Sequence, residues 1–169
     1  MISFEPTEEQ ELVRATARDL AAEALRPLAR DADEESAIPA DFLRSTWQLG
    51  LVSSQIPEAF GGGGATRSPT TGVLLLEELA VGDAALALAA LAPALFAMTL
   101  VDHGTTKQQE RYLPQLCGAD FHAASVAIVE PRPAFDAQNL QTKAESRGSG
   151  WVLNGVKSFV PYGGEASHF

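Results

Sequence analysis

Between Asp83 and Asp102 the chain runs for 18 residues, Ala84 to Val101, without a charged side chain. A helix that is apolar around its whole circumference has no face to turn to water, so lipid or protein must surround it. Alanine dominates this stretch and gains little from transfer into lipid, and Pro93 stands in its middle. The segment is therefore expected to be a buried helix rather than a membrane span. A chain built around such a helix needs several other helices to enclose it, and that requirement sets the rest of the reading.

The flanking sequence supplies them. Thr7-Glu-Glu-Gln10 reads as a capping box, and Val13, Ala17, Leu20, Ala24 and Leu28 recur at helical spacing. This predicts a helix from residue 8 to about residue 31, kinked or locally ended at Pro27, with Asp31 to Ser36 as a solvated acidic loop. Pro39 is placed as the first residue of a second helix running to Leu49 and stopping at Gly50. Gly61 to Gly64 lacks the residues that complete a phosphate-binding pattern and reads as a tight turn. Ser68 caps a third helix that starts at Pro69, with Val73, Leu76, Leu79 and Ala80 as its buried stripe. Asp83 caps the alanine-rich helix. Thr105 or Thr106 starts a fifth, ended by Pro114 and Gly118.

After Gly118 the character changes. Ala123 to Val129, Gln141 to Ser146 and Trp151 to Lys157 read as strands, and Arg147-Gly-Ser-Gly150 as a hairpin turn. Ala166 to Phe169 looks like the start of another strand. The expected fold is α+β, an all-α helical domain over residues 1–120 followed by an incomplete antiparallel β domain over 121–169. A few strands with open edges and a half-covered face do not stand alone. More polypeptide, in the same chain or another, is expected to complete them.

The net charge of −10 argues against nucleic acid and weakly against anionic membranes. Cys117 is the single cysteine and fits a reducing compartment. The start of the chain shows no basic-then-apolar leader, so a cytoplasmic setting is expected.

Three signals stand in order in the last third. They are Gly104-Thr-Thr-Lys-Gln-Gln-Glu-Arg-Tyr-Leu-Pro-Gln-Leu116 with Cys117-Gly118, then Glu130-Pro131 with Asp136, then Trp151-Val-Leu-Asn-Gly-Val-Lys157. With Pro57-Glu-Ala-Phe and its glycines upstream, this order resembles the acyl-CoA dehydrogenase family, and the likeness spans essentially the whole chain. The resemblance implies FAD as cofactor, an acyl-CoA thioester as substrate, α,β-desaturation as reaction, and an electron-transfer flavoprotein as a candidate electron acceptor. It also implies that Ile128 and Val129 lie along the flavin and that Phe159 lies against it. Leu95, Phe96 and Met98 fall where the family holds the acyl chain, although side chains of this kind are commonly ordinary core.

The departures from the family pattern matter as much. Val129 stands where the family has a threonine, Pro133-Ala-Phe135-Asp136 replaces Ala-Gly-Ser-Asp, and Pro161 takes another threonine position. Each lost hydroxyl is worth roughly 0.5–1.5 kcal/mol as a hydrogen bond. The family's catalytic glutamate lies beyond residue 169, so no catalytic residue is assigned here, and Glu130 reads as structural. His103 reads as a helix-end group. His122 and His168 lack metal-ligand spacing. The expectation is a flavin-poor subunit of a heteromeric acyl-CoA dehydrogenase, completed by a related subunit. The alternatives are a fragment of a self-sufficient enzyme and a diverged, non-catalytic scaffold.

Overall fold

A computed structural model describes residues 5–169 of the chain. The reading of the N-terminus as leaderless rests partly on residues 1–4, which lie outside the described residues. Helix α1 (Glu8–Leu20) opens with the Thr7–Gln10 capping box expected from the sequence, and both reciprocal hydrogen bonds are present. The helix then widens into a π-helical turn, Ala21–Leu25, where it passes Gly82. A Cβ at Gly82 would stand 2.7 Å from the Ala21 carbonyl oxygen, so the close approach requires glycine.

Pro27 interrupts the helix as expected, but the chain then coils again as α2 (Ala29–Glu35). The solvated loop expected over Asp31–Ser36 is thus a helix, ended by Ser36 in a left-handed conformation at φ 51°. Its charges had suggested a loop. They occupy the outer face of a short amphipathic helix whose Ala32 is buried. Helix α3 (Ala40–Gln48) follows, with Pro39 as its cap rather than its first residue.

Helix α4 (Pro69–Gly82) is capped by Ser68, and α5 (Ala84–His103) by Asp83, whose carboxylate accepts from the Leu86 N–H at 2.8 Å. Helix α6 (Thr106–Tyr112) begins with a second capping box, Thr105–Gln108, and continues into a 3-10 turn, Leu113–Cys117. Helices α1 and α4 are clamped by Glu78. This carboxylate is 8% exposed and meets Arg14 at 3.0 Å and Arg18 at 2.7 Å. The Arg18 contact first, with Arg14 behind it, holds the Glu78 carboxyl below its usual range against the opposing effect of burial.

Helix α5 is long and apolar enough to cross a membrane by length and composition, yet much of it is enclosed by protein. Leu86, Ala87, Ala90, Ala92, Phe96 and Ala97 are buried among α1, α3, α4 and the turn after α6. Pro93 deprives the Ala89 carbonyl of its helical donor. The Tyr162 hydroxyl replaces it, donating to that carbonyl at 2.8 Å. A proline inside a buried helix is tolerated here because a loop 73 residues away satisfies the freed group.

The second part contains one hairpin, β1 (Lys143–Arg147) paired antiparallel with β2 (Gly150–Asn154), Arg147 opposite Gly150. Gly148 takes the left-handed turn position at φ 58°. The fold is therefore α+β, a helical part followed by a two-stranded antiparallel sheet. The strand expected over Ala123–Val129 is extended but has no ladder. It is pinned near its ends, where the Ser167 N–H donates to Ala123, Ser125 donates to His168 and Ser158 donates to Val129. Among the described residues its one bridge is a parallel one, between Ala124 and His168.

Candidate functional site

The buried stripe expected on α4 is largely turned outward. Leu79 is 1% exposed, whereas Val73 and Leu76 are 66% and 40% exposed. Their outward face is one wall of a groove of about 500 Å³. The other wall is α5, through Leu88, Leu91, Leu95 and Met98, and Val126 and Ile128 also line it. Asp83 joins α4 to α5, and the Arg67–Asp102 ion pair (2.9 Å) ties the start of α4 to the end of α5, so the two helices run antiparallel. Apolar lining with a few polar groups at one end is the usual make-up of a small-molecule site.

The sequence-derived pocket residues divide. Leu95 and Met98 lie in the groove, three residues apart on one helix face. Phe96 is rotated away into the core, 9% exposed, with its ring centroid 6.4 Å from that of Tyr112 and 5.9 Å from that of His168. Of the positions that the resemblance sets against a flavin, Ile128 lines the groove and Val129 follows directly. The Val129 carbonyl accepts from Ser158 at 2.9 Å, so the position has its N–H left to offer. Phe159 projects beside it, 92% exposed and left-handed at φ 52°. These positions present an aromatic face, an aliphatic wall and backbone groups. They supply no hydroxyl donor at Val129 and neither hydroxyl nor N–H at Pro161.

Glu130 sits under this surface as a structural post. It is 4% exposed; its carboxylate accepts the Gln141 and Thr142 N–H groups at 2.8 Å each and meets Lys157 Nζ at 3.1 Å. Those two backbone donors, first Gln141 and then Thr142, bring its pKa down to about 2. A group so firmly ionised is a poor proton shuttle near neutral pH.

The four glycines carry no phosphate cradle. The Gly62, Gly63 and Gly64 N–H groups donate to the Pro57, Ser53 and Ile56 carbonyls, and a Cβ on Gly62 would collide with the Ile56 carbonyl. His122 and His168 do meet, with Nε2 and Nδ1 3.1 Å apart, a contact that no spacing in the sequence signalled. Burial first, and His168 second, lowers the pKa of His122. Among the described residues no group of three or more metal-ligating side chains forms. Arg67, Asp102 and Gly72 also escaped the sequence reading, because only the pairing of α4 with α5 brings them to one groove.

Comparison with known proteins agrees with this geometry. The family model for the acyl-CoA dehydrogenase N-terminal domain matches residues 7–120. The chain is 34% identical over 168 residues to a probable medium-chain specific acyl-CoA dehydrogenase of Caenorhabditis briggsae, covering 99% of this chain and 40% of that protein. It is 31% identical over 166 residues to a probable acyl-CoA dehydrogenase of Mycobacterium tuberculosis, covering 98% of this chain and 42% of that one. The butyryl-CoA dehydrogenase structure from Megasphaera elsdenii superposes with a TM-score of 0.74 at 28% identity, over 98% of this chain and 44% of that chain. A glutaryl-coenzyme A dehydrogenase in complex with glutaryl-CoA superposes with a TM-score of 0.77 at 26% identity, over 98% and 42%. The chain thus spans about two-fifths of the length of the curated relatives it matches. Helical order, groove and match together place the chain in the acyl-CoA dehydrogenase family of FAD-dependent oxidoreductases, over its N-terminal helical domain and the residues that follow.

Proposed function

We propose that this chain forms the acyl-holding part of an enzyme that desaturates an acyl-CoA thioester between Cα and Cβ with FAD. In this reading a related subunit supplies most of the flavin contacts and the proton-abstracting carboxylate. The observation that carries it is the apolar groove between α4 and α5, which reaches Ile128 beside the Val129–Phe159 surface. FAD, where bound, accepts the hydride. This chain's own share is to bind the acyl group, exclude water from it and hold it beside that surface. The lost hydroxyl positions at Val129 and Pro161 support the flavin-poor assignment, and an electron-transfer flavoprotein is the proposed electron acceptor. A cytoplasmic setting belongs to the same proposal, on the strength of charge and cysteine content.

A second reading has an observation of its own. Because the chain covers about two-fifths of its relatives, the same groove and Phe159 would equally suit the first part of a longer, self-sufficient flavoenzyme.

The activity is tested on the complex of this chain with its flavin-bearing complement, obtained by coexpression. Anaerobic addition of octanoyl-CoA is expected to bleach the flavin and yield the 2-enoyl thioester, detected by mass. No bleaching together with no thioester binding would refute the reading.

A further inference from the structure

His122 and His168 stand 46 residues apart in the chain, yet their rings are stacked, with centroids 5.2 Å apart and planes at 25°. Nε2 of His122 faces Nδ1 of His168 at 3.1 Å, a hydrogen bond that needs an N–H on one nitrogen and a bare lone pair on the other. The Ser167 hydroxyl lies 3.3 Å from the same His122 nitrogen and donates to the Ala123 carbonyl at 3.2 Å. Beside these side chains run two backbone bonds of 3.1 Å, from the Ser167 N–H to Ala123 and from the Ser125 N–H to His168. Together they hold residues 166–169 against the extended segment 123–129. Further along, that segment supplies Val126 and Ile128 to the groove wall.

The surroundings leave the two rings to balance their own charge. Helix α5 presents the uncharged Phe96 to His168, and α6 presents Tyr112 with its ring centroid at 5.0 Å. That ring already carries the Arg111 guanidinium, 5.1 Å above its centre. Cys117, in the turn after α6, belongs to the same apolar cluster, and burial pushes its thiol up, so it stays neutral. Asp120 and Glu165, the acidic residues nearest in sequence, make no ion pair with either ring. Both rings are partly buried, so protons from solvent reach them. One added proton leaves the ring-to-ring bond intact. A second puts an N–H on each facing nitrogen and sets two like charges against each other.

We infer that His122 and His168 form an acid-sensitive latch, which holds the 166–169 segment on the groove-wall segment until both rings are protonated and then lets it go. The inference stands on this contact and is independent of the acyl-CoA reading. Burial first, and His168 second, already favour the neutral form of His122 in the fold. Its contribution is therefore complete above the unfolded value of about 6.5 and is lost as pH falls through the lower folded one. Release stops at Tyr162, which stays anchored to Ala89 and whose carbonyl accepts from the Ala166 N–H at 2.8 Å. Glu130, with its pKa of about 2, does not titrate in the same range.

The test is amide hydrogen exchange on the full chain between about pH 7.5 and about pH 5, corrected for intrinsic rates, with the histidine ring protons followed by NMR. The pair should titrate in two steps. Protection of the Ser125 and Ser167 amides should fall with the second step, by up to about tenfold per pH unit, while α4 and α5 keep theirs. His168→Phe keeps a ring between Phe96 and Tyr112 but cannot take up a proton, and it should flatten this dependence. His122→Gln serves as the second variant, because it keeps a neutral polar partner for His168 and should flatten the dependence in the same way. Where His168→Phe leaves the segment unprotected at every pH, His122→Gln decides. Protection in the wild type that does not change with pH, or that falls with the first step, would overturn the inference. So would an unchanged pH dependence in His122→Gln.

Discussion

Replacing Glu130 by Gln should undock the β hairpin from the rest of the chain and lower Tm by several degrees. The carboxylate is almost fully buried and both its oxygens are used, one by the Gln141 N–H, the other by the Thr142 N–H and the Lys157 ammonium. Glutamine keeps the shape but puts an NH₂ donor where an acceptor stood, against either a backbone N–H or the Lys157 cation. Buried donors then lose their partners, which costs more than an average hydrogen bond. Hydrogen exchange gives the direct reading, with the Gln141 and Thr142 amides losing protection before those of α4 and α5. Equal protection in variant and wild type would show that the post bears no such load.

The pH dependence of this contact has a fixed sign. The folded pKa of Glu130, about 2, lies below that of an unfolded glutamate, about 4.3. Its contribution is therefore complete above the unfolded value and is lost as pH falls through the folded one. Acid titration of the wild type should release the hairpin across that window, and Glu130→Gln should flatten this component.

Tyr162→Phe is the second change with a large expected effect. It removes one oxygen, and with it the donor that satisfies the Ala89 carbonyl freed by Pro93. Ala89 is 7% exposed, so water has little access to replace the bond. An orphaned buried carbonyl costs about 1–3 kcal/mol. Chemical denaturation should show a loss of that size. The double variant Tyr162→Phe, Pro93→Ala should recover part of it, because alanine restores the helical donor. If Tyr162→Phe costs the same with and without Pro93, the two residues are not coupled as described.

Much of the helical part was legible because its signals are local. Thr7, Ser68, Asp83 and Thr105 announce helix starts through hydroxyl or carboxylate caps, and each makes the bond its position implies. The charge-free stretch of α5 announced its enclosure in the same way. Local signals failed where tertiary context decides. Val73 and Leu76 match a buried helical stripe by periodicity, but the face they occupy is a groove wall rather than a core contact. Asp31 to Ser36 is charged enough to resemble a loop, but burial of Ala32 against the core selects the helix. Val129 and its neighbours are extended as their composition suggests, yet a strand is defined by its partners, and along this segment the described chain offers a single bridge.

The candidate site was legible to about the same depth. Leu95 and Met98, which the resemblance sets in the acyl pocket, and Ile128, which it sets along the flavin, line one groove. Phe96 stands one position beyond Leu95, a rotation of about 100° that turns it from the groove to the core. Glu130 and Lys157 stand in two separate motifs, 27 residues apart, and only folding shows them as one ion pair.

The visible spectrum of the purified chain, alone and coexpressed with its complement, tests the central claim most directly. The account predicts no flavin absorbance from the chain alone and near-stoichiometric flavin in the two-subunit complex. Stoichiometric flavin on the chain alone would contradict it and make the losses at Val129 and Pro161 neutral substitutions in a self-sufficient enzyme.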